Sequence, residues 1–276
     1  MNTILDLKNN GHFMLAYPAA LRKAVEETEK SWKKFCALPV EVKKGLPYSN
    51  GGAGVGYEIK DGSGNKGDRK ENFDVTVEAK NWLAANSKVI SNPVVLDFLE
   101  KAIALVSLIK PTVVDFAEQS ESAFSLRGFA EEVSASDKAF FVRFIHYFDN
   151  REVGDETASA HVDQSGFTLH LFEDAPGFQI LTPGKKWINL PITAGETLII
   201  PSMQMQLRSG SELKATCHRV VATPETAQKG RYSSVCFVQL KDTPKYDKDA
   251  HGRLQEKAQG FNYDMKPEAF AGLFKK

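Results

Sequence analysis

The sequence predicts an α+β chain whose core is predominantly β, and three observations carry that reading. Through the first half, apolar residues recur every three or four positions, the period of one helix face. From about Lys138 they gather instead into short runs rich in Phe, Val and Ile, separated by turn residues. No helix-length stretch divides successive runs, which argues against a doubly wound sheet and for a β-sandwich or barrel.

Tyr17-Pro18 opens the first long helix, with Pro18 near the first turn, where a missing N–H costs nothing. Leu21, Val25, Thr28, Trp32, Phe35 and Leu38 make its apolar stripe, and Pro39 ends it. The Gly-rich stretch from Gly51 to Gly67 reads as loop. Within it, Gly62 to Gly67 fits G-x-G-x-x-G but lacks the preceding strand and following helix of a dinucleotide site. It reads as a loop beside a pocket mouth. A second helix starts near Asn92-Pro93, with Val95, Leu99, Ala102, Val106 and Ile109 as its stripe, and Pro111 is expected to kink or interrupt it. The β runs are Ala139–Phe148, Phe167–Phe172, Phe178–Leu181, Trp187–Leu190, Thr197–Ile200 and Tyr232–Leu240. The tail after Asp242 is polar, with a terminal helix expected around Pro267–Phe274. The expected organisation is one domain over residues 1–276. It comprises a mainly helical region 1–137, a β core 138–241 and an extension 242–276.

An apolar fraction of 42% and a charged fraction of 25% are those of a folded globular protein. Lys plus Arg and Asp plus Glu are both 35, so the charge balance offers no reason to expect nucleic acid or an anionic membrane as partner. Cys36, Cys217 and Cys236 are odd in number and form no C-x-x-C pair, which fits reduced thiols in a cytoplasmic protein. The segment Met1 to Ala16 carries Asp6 and Lys8 and does not read as a signal peptide. No apolar run reaches the roughly 18 residues of a membrane span. A monomer acting on a small molecule is expected.

His161-Val162-Asp163 carries the chemistry. In a strand, residues two apart share a face, so an H-x-D pair presents an imidazole and a carboxylate to one point. His218, in the apolar stretch Ala215 to Val221, can complete the set. Two histidines and one carboxylate on one side of an octahedron leave positions open, the arrangement of non-haem iron(II) oxygenases. Arg231 and Ser233 again share a strand face. A guanidinium pairs two-pronged with a carboxylate and a hydroxyl adds a donor, so together they can anchor the far end of a dicarboxylate chelating the metal.

Taken in order, these segments resemble the 2-oxoglutarate/iron(II) dioxygenase superfamily, nearest the branch of isopenicillin N synthase and the plant flavonoid, gibberellin and ACC oxidases. Phe35 to Lys43 is similar to "FFxLPxExK", and Gly54 to Tyr57 with Asp68 to Phe73 is similar to "GYG…DxKExF". Phe141 to Tyr147 resembles "LRxxxY", and Thr168 to Asp174 with Gly177 to Ile180 resembles "TLLxQD…GLQV". His218-Arg219-Val220 and Arg231-Tyr232-Ser233 match "HRV" and "RxS". Two positions depart from the pattern: Phe148 stands where proline is usual, and His146 where an aromatic or apolar residue is usual.

The resemblance implies a double-stranded β-helix, or jelly roll, with the N-terminal helices packed outside. It implies iron ligands at His161, Asp163 and His218. Arg231 and Ser233 would bind the distal carboxylate of 2-oxoglutarate, and Tyr147 would donate a hydrogen bond to it. Fe(II), 2-oxoglutarate and O2 are the implied cofactor and cosubstrates. The implied chemistry is oxidative decarboxylation to succinate and CO2, coupled to hydroxylation, desaturation or cyclisation of an amino-acid derivative or secondary metabolite. An oxidase that dispenses with 2-oxoglutarate is the alternative within the branch, and a non-enzymatic binding jelly roll the alternative outside it. Asp163 argues against the halogenases, which lack the carboxylate ligand. Arg143 alternates with Ile145 and Tyr147, and Phe237 shares parity with Arg231 and Ser233; each is read either as facing substrate or as ordinary wall. His170 reads as a wall histidine rather than a ligand, and Cys217 as a small apolar side chain.

Overall fold

The computed structural model describes residues 3–48, 54–60, 68–86, 90–124, 126–135, 140–192, 195–241, 243–251 and 263–275. Its strands are β1 (Phe13–Ala16), β2 (Gly56–Lys60), β3 (Lys70–Val75), β4 (Phe140–Tyr147), β5 (Glu156–His161) and β6 (Phe167–Glu173), then β7 (Phe178–Leu181), β8 (Trp187–Asn189), β9 (Glu196–Pro201), β10 (His218–Val221) and β11 (Arg231–Val238). They form a seven-stranded sheet in the order β1-β9-β6-β11-β4-β3-β2 and a four-stranded sheet in the order β5-β10-β7-β8. The strand pairings in both sheets are antiparallel.

Alternation along the central strands decides what lies where. On β4, Phe140, Val142 and Phe144 join the core on the helical side, while Ile145 and Tyr147 pack inward. Ile145, Tyr147 and Val235 of the large sheet meet Ala158, Phe178, Ile180 and Val220 of the small one, so the two sheets face each other. This is the expected jelly roll. Its outer face is covered by helices Ala19–Cys36 and Pro93–Phe124, whose Trp32, Phe35 and Phe98 interleave with Phe73 and Phe144 at ring separations of 5.1–6.2 Å. Such offset and edge-on aromatic contacts add to the area they bury.

The structure corrects three expectations. The first half is not only helix and loop: β1, β2 and β3 belong to it, and all three extend the large sheet. Gly56–Lys60 is thus a strand inside the stretch expected to be loop, whereas the G-x-G-x-x-G segment lies outside the described residues. Pro111 does not interrupt its helix, which runs from Pro93 to Phe124. Proline removes the hydrogen bond to the carbonyl four residues back, here that of Ser107. Both Ser107 and Pro111 are exposed, while Ile109 and Val113 anchor the buried side, so the freed carbonyl faces solvent. The terminal helix is shorter than expected, Pro267–Ala271. The three cysteines are free and buried. Among the described residues, no helix is long and apolar enough to cross a membrane.

Candidate active site

Strand pairing makes neighbours of two histidines far apart in sequence. His161 ends β5 and lies directly opposite His218, which begins β10. Their ring centroids are 4.3 Å apart. Asp163 was expected on the same strand face as His161, but β5 stops at His161 and the turn beyond it delivers the carboxylate. The Met203 amide, donating to the Asp163 carbonyl at 2.9 Å, holds that turn. Asp163 Oδ1 lies 3.5 Å from His161 Nε2, and Oδ2 lies 3.7 Å from His218 Nε2. One ligand atom from each residue falls within 4.8 Å of the others.

The hydrogen bonds around this trio decide what it can hold. His161 Nδ1 sits 2.7 Å from the Ser159 carbonyl, and His218 Nδ1 sits 3.1 Å from the Thr216 carbonyl. A carbonyl only accepts, so both rings carry their proton on Nδ1 and turn an Nε2 lone pair inward, as metal-binding histidines do. Thr168 Oγ1 donates to Asp163 Oδ2 at 2.6 Å, orienting the carboxylate. The charges agree. Burial works against ionised Asp163, but His218, His161 and Thr168 outweigh it and hold the carboxyl well below its usual range. Burial, aided by repulsion from His161, pushes His218 down to about 4, so it is neutral and available as a ligand. Burial would lower His161 too, but the Asp163 carboxylate overrides it and the net direction is upward. His218 is thus ready as a neutral ligand, His161 would give up its proton to a metal, and two imidazole nitrogens with one carboxylate fit a ferrous ion.

The trio opens into a cavity of about 580 Å³ between the sheets. Its wall on the large sheet is a grid set by strand register. Lys70, Tyr147 and Arg231 lie side by side across β3, β4 and β11. The next row inward is Asn72, Ile145, Ser233 and Glu173, followed by Asp74, Arg143, Val235 and His170. Phe141, Phe237 and Thr168 form the row nearest the trio. Thus Arg231, Ser233, Tyr147, Arg143 and Phe237, the residues singled out in the sequence, all line one cavity with the trio.

Arg231 is 3% exposed and not free: it donates from Nε to the Ala175 carbonyl at 2.9 Å and from Nη2 to the Glu173 carboxylate. Nη1 is left without a protein partner among the described residues, and the guanidinium lies 5.7 Å from the Tyr147 ring centre. Arg143 is gripped two-pronged by Asp74, Nε to Oδ1 and Nη2 to Oδ2, both at 2.7 Å. It lies 5.8 Å from the Phe141 ring centre and 5.5 Å from that of Phe237. Lys70, Asp74, Thr168 and Glu173 went unmarked in the sequence reading. Each is a polar residue inside an apolar run or a charged strand, and only cross-strand register shows its partner.

A donor trio of this kind, open to a cavity with a buried guanidinium, fits a non-haem iron site. The comparisons agree. Residues 137–240 match the 2OG-Fe(II) oxygenase superfamily. A 2-oxoglutarate-dependent dioxygenase of Didymella fabae is 26% identical over 258 residues, 83% of this chain and 76% of that protein. Among solved structures, the rice dioxygenase for auxin oxidation superposes with a TM-score of 0.70 at 19% identity, covering 99% of this chain and 92% of the other. A full-length Neurospora crassa protein in complex with alpha-KG and thymine gives 0.68 at 16% identity, covering 98% and 90%. The match to the superfamily model thus covers the β core that carries the trio and Arg231. Together these matches indicate a 2-oxoglutarate-dependent dioxygenase with ferrous iron as its metal.

Proposed function

We propose that His161, Asp163 and His218 hold the iron, and that Arg231, Ser233 and Tyr147 hold the distal carboxylate of 2-oxoglutarate. Arg143, with Phe141 and Phe237, then receives a small planar substrate bearing a carboxylate, which is oxidised at a C–H bond. With iron and 2-oxoglutarate bound, the site couples oxidative decarboxylation, giving succinate and CO2, to that oxidation.

The residues supply place and dryness. The two Nδ1–H···O=C contacts keep both imidazoles turned to the metal. Arg231 Nη1 and the Ser233 hydroxyl offer donors in the same part of the cavity, Arg231 in the row next to Ser233. Tyr147, between Lys70 and Arg231 in its row, closes the floor beneath them.

The observation that carries the substrate class is Arg143. Asp74 locks its plane and the stacked pair Phe141–Phe237, with centroids 5.0 Å apart, flanks it. An aromatic wall beside a fixed guanidinium suits a flat body with an acidic group. Charge bookkeeping supports an anion. Lys70 is paired with Asp68, Arg143 with Asp74, Arg231 with Glu173 and Lys60 with Glu58, while the exposed Lys248 adds positive charge at the cavity mouth. The rice neighbour, concerned with auxin oxidation, and the Neurospora neighbour, bound to thymine, also point to small organic molecules.

The test is succinate formation by iron-loaded protein challenged with small aromatic acids and with their methyl esters. Acids are expected to stimulate 2-oxoglutarate turnover and esters not. Arg143→Ala is expected to abolish the stimulation while leaving 2-oxoglutarate affinity within about threefold. Equal stimulation by esters, or an undiminished response in Arg143→Ala, would defeat the substrate assignment.

A further inference from the structure

The cavity holds one titratable side chain that the reading above leaves without a task. His170 is only 6% exposed, and its Nε2 has no hydrogen-bond partner. Buried polar atoms are nearly always paired, so an unpaired ring nitrogen beside a binding cavity needs a reason. Its neighbours are the Phe178 ring at 4.2 Å and the His218 ring at 5.9 Å, centre to centre.

A local irregularity aims this side chain. Opposite β11, Glu173 pairs with Ser233 and Phe172 with Ser234, but the next partner, Val235, faces His170. Leu171 is skipped, a β-bulge. Without it, strict alternation from the inward Glu173 would point Leu171 into the cavity and His170 out. Instead Leu171 joins the core on the helical side and His170 lines the cavity. Bulges beside active sites commonly re-aim a side chain in this way. The sequence motif this segment resembles, "TLLxQD", has leucine where this chain has His170.

Position along β6 says what the imidazole meets. Thr168, on one side of it, donates to the metal-facing Asp163, and Glu173, on the other, accepts from Arg231. His170 therefore stands midway between the metal donors and the distal-carboxylate anchor. That is the span a chelating 2-oxoglutarate must cross. We propose that His170 is a further binding residue for 2-oxoglutarate, its Nε2–H donating to an oxygen of the chelated cosubstrate. This rests on the cosubstrate placement proposed above. Binding then pairs the nitrogen that the free protein leaves unpaired.

The experiment is an anaerobic titration of the full, Fe(II)-loaded chain with 2-oxoglutarate, followed by its metal-to-ligand charge-transfer absorbance. The variants are His170→Leu, His170→Gln and, as control, Arg231→Lys. One hydrogen bond to a charged oxygen is worth roughly tenfold in affinity. His170→Leu is expected to raise the Kd for 2-oxoglutarate about tenfold and to move the absorbance maximum, with iron affinity unchanged. His170→Gln, which keeps a donor, is expected to recover part of the loss and covers the case in which leucine upsets the fold. An unchanged Kd and unchanged spectrum in His170→Leu, beside weakened binding in Arg231→Lys, overturns this inference alone. Wild-type affinity in all three variants overturns the cosubstrate placement and this inference with it.

Discussion

Behind the strand that carries Arg231 and Ser233, on the opposite face of the sheet, helix Ala19–Cys36 buries a carboxyl group with nothing to bond it. Glu29 is 1% exposed, and neither of its oxygens has a hydrogen-bond partner. The Ser234 hydroxyl is the neighbouring dipole that favours the ionised form, yet it too makes no bond of proper geometry. Burial dominates and pushes the Glu29 carboxyl from its ordinary 4.5 up to about 8. The folded protein thus binds a proton that the unfolded chain releases near pH 4.5, so stability falls as pH rises between those values. At about 1.4 kcal/mol per pH unit, the loss across the whole window is up to about 5 kcal/mol. That is large against a typical stability of about 5–15 kcal/mol. Glu29→Gln keeps the shape but cannot ionise, so it is expected to remove this slope. The buried amide carries its own constant penalty, so the quantity to read is the change with pH and not the offset. Urea unfolding at pH 5, 7 and 9 should show the variant gaining on the wild type by several kcal/mol between the ends. Parallel pH profiles would show that Glu29 ionises normally in the fold and would refute the reasoning.

Three further outcomes are expected. Alanine at His161, Asp163 or His218 should each abolish iron-dependent succinate formation without altering the far-ultraviolet circular dichroism; retained turnover in any one removes that residue from the proposed ligand set. Arg231→Ala should weaken 2-oxoglutarate binding about a hundredfold, since breaking a buried pair costs about 3–5 kcal/mol. It should also lower the melting temperature, because Glu173 loses its partner, and Arg231→Lys should restore only part of the affinity. Thr168→Val removes the 2.6 Å hydrogen bond to Asp163 and should weaken iron binding about 10–100-fold, measured by competition with a chelator.

The β runs of the second half were legible because one of their two faces is almost wholly apolar, as Phe140, Val142 and Phe144 show. Of the strands that escaped notice, β3 buries polar groups instead. Lys70–Val75 reads Lys-Glu-Asn-Phe-Asp-Val, a poor strand by composition. Its carboxylates are tolerated because both find partners on other elements. Glu71 accepts from Lys43 at 2.5 Å, Tyr57 at 2.6 Å and His146 at 2.9 Å, and Asp74 holds Arg143. The Lys43, Tyr57 and His146 side chains come from three different segments, so no local pattern could announce them. The metal trio was legible for the opposite reason: H-x-D is local, and its chemistry restricts the third partner to a histidine. The i, i+2 argument nonetheless paired His161 with Asp163 by a geometry the chain does not use, since Asp163 lies past the end of β5. His170 was read as a wall histidine and does line the cavity, but the bulge that aims it there leaves no mark in a run as apolar as Leu169 to Phe172.

What the site depends on, then, is register more than residue type. Lys70, Tyr147 and Arg231 form one row only while β3, β4 and β11 keep their present alignment. A slip of one residue in β4 would turn Tyr147 and Arg143 away from the cavity and bring His146 and Phe144 into it. On the cavity side the Asp74–Arg143 pair opposes that slip, but at one row only. The opposite face is not tolerant. Phe144 is fully buried between Trp32 and Phe98, and Phe73, its direct partner on β3, packs edge-on against Phe35 and Phe98. Moving either ring out of that cluster would cost several kcal/mol of packing. The helices on the outside of the jelly roll therefore act on the chemistry at a distance: by seating Phe73 and Phe144 they hold the rows of Arg143, Ser233 and Arg231 in line on the other side of the same strands.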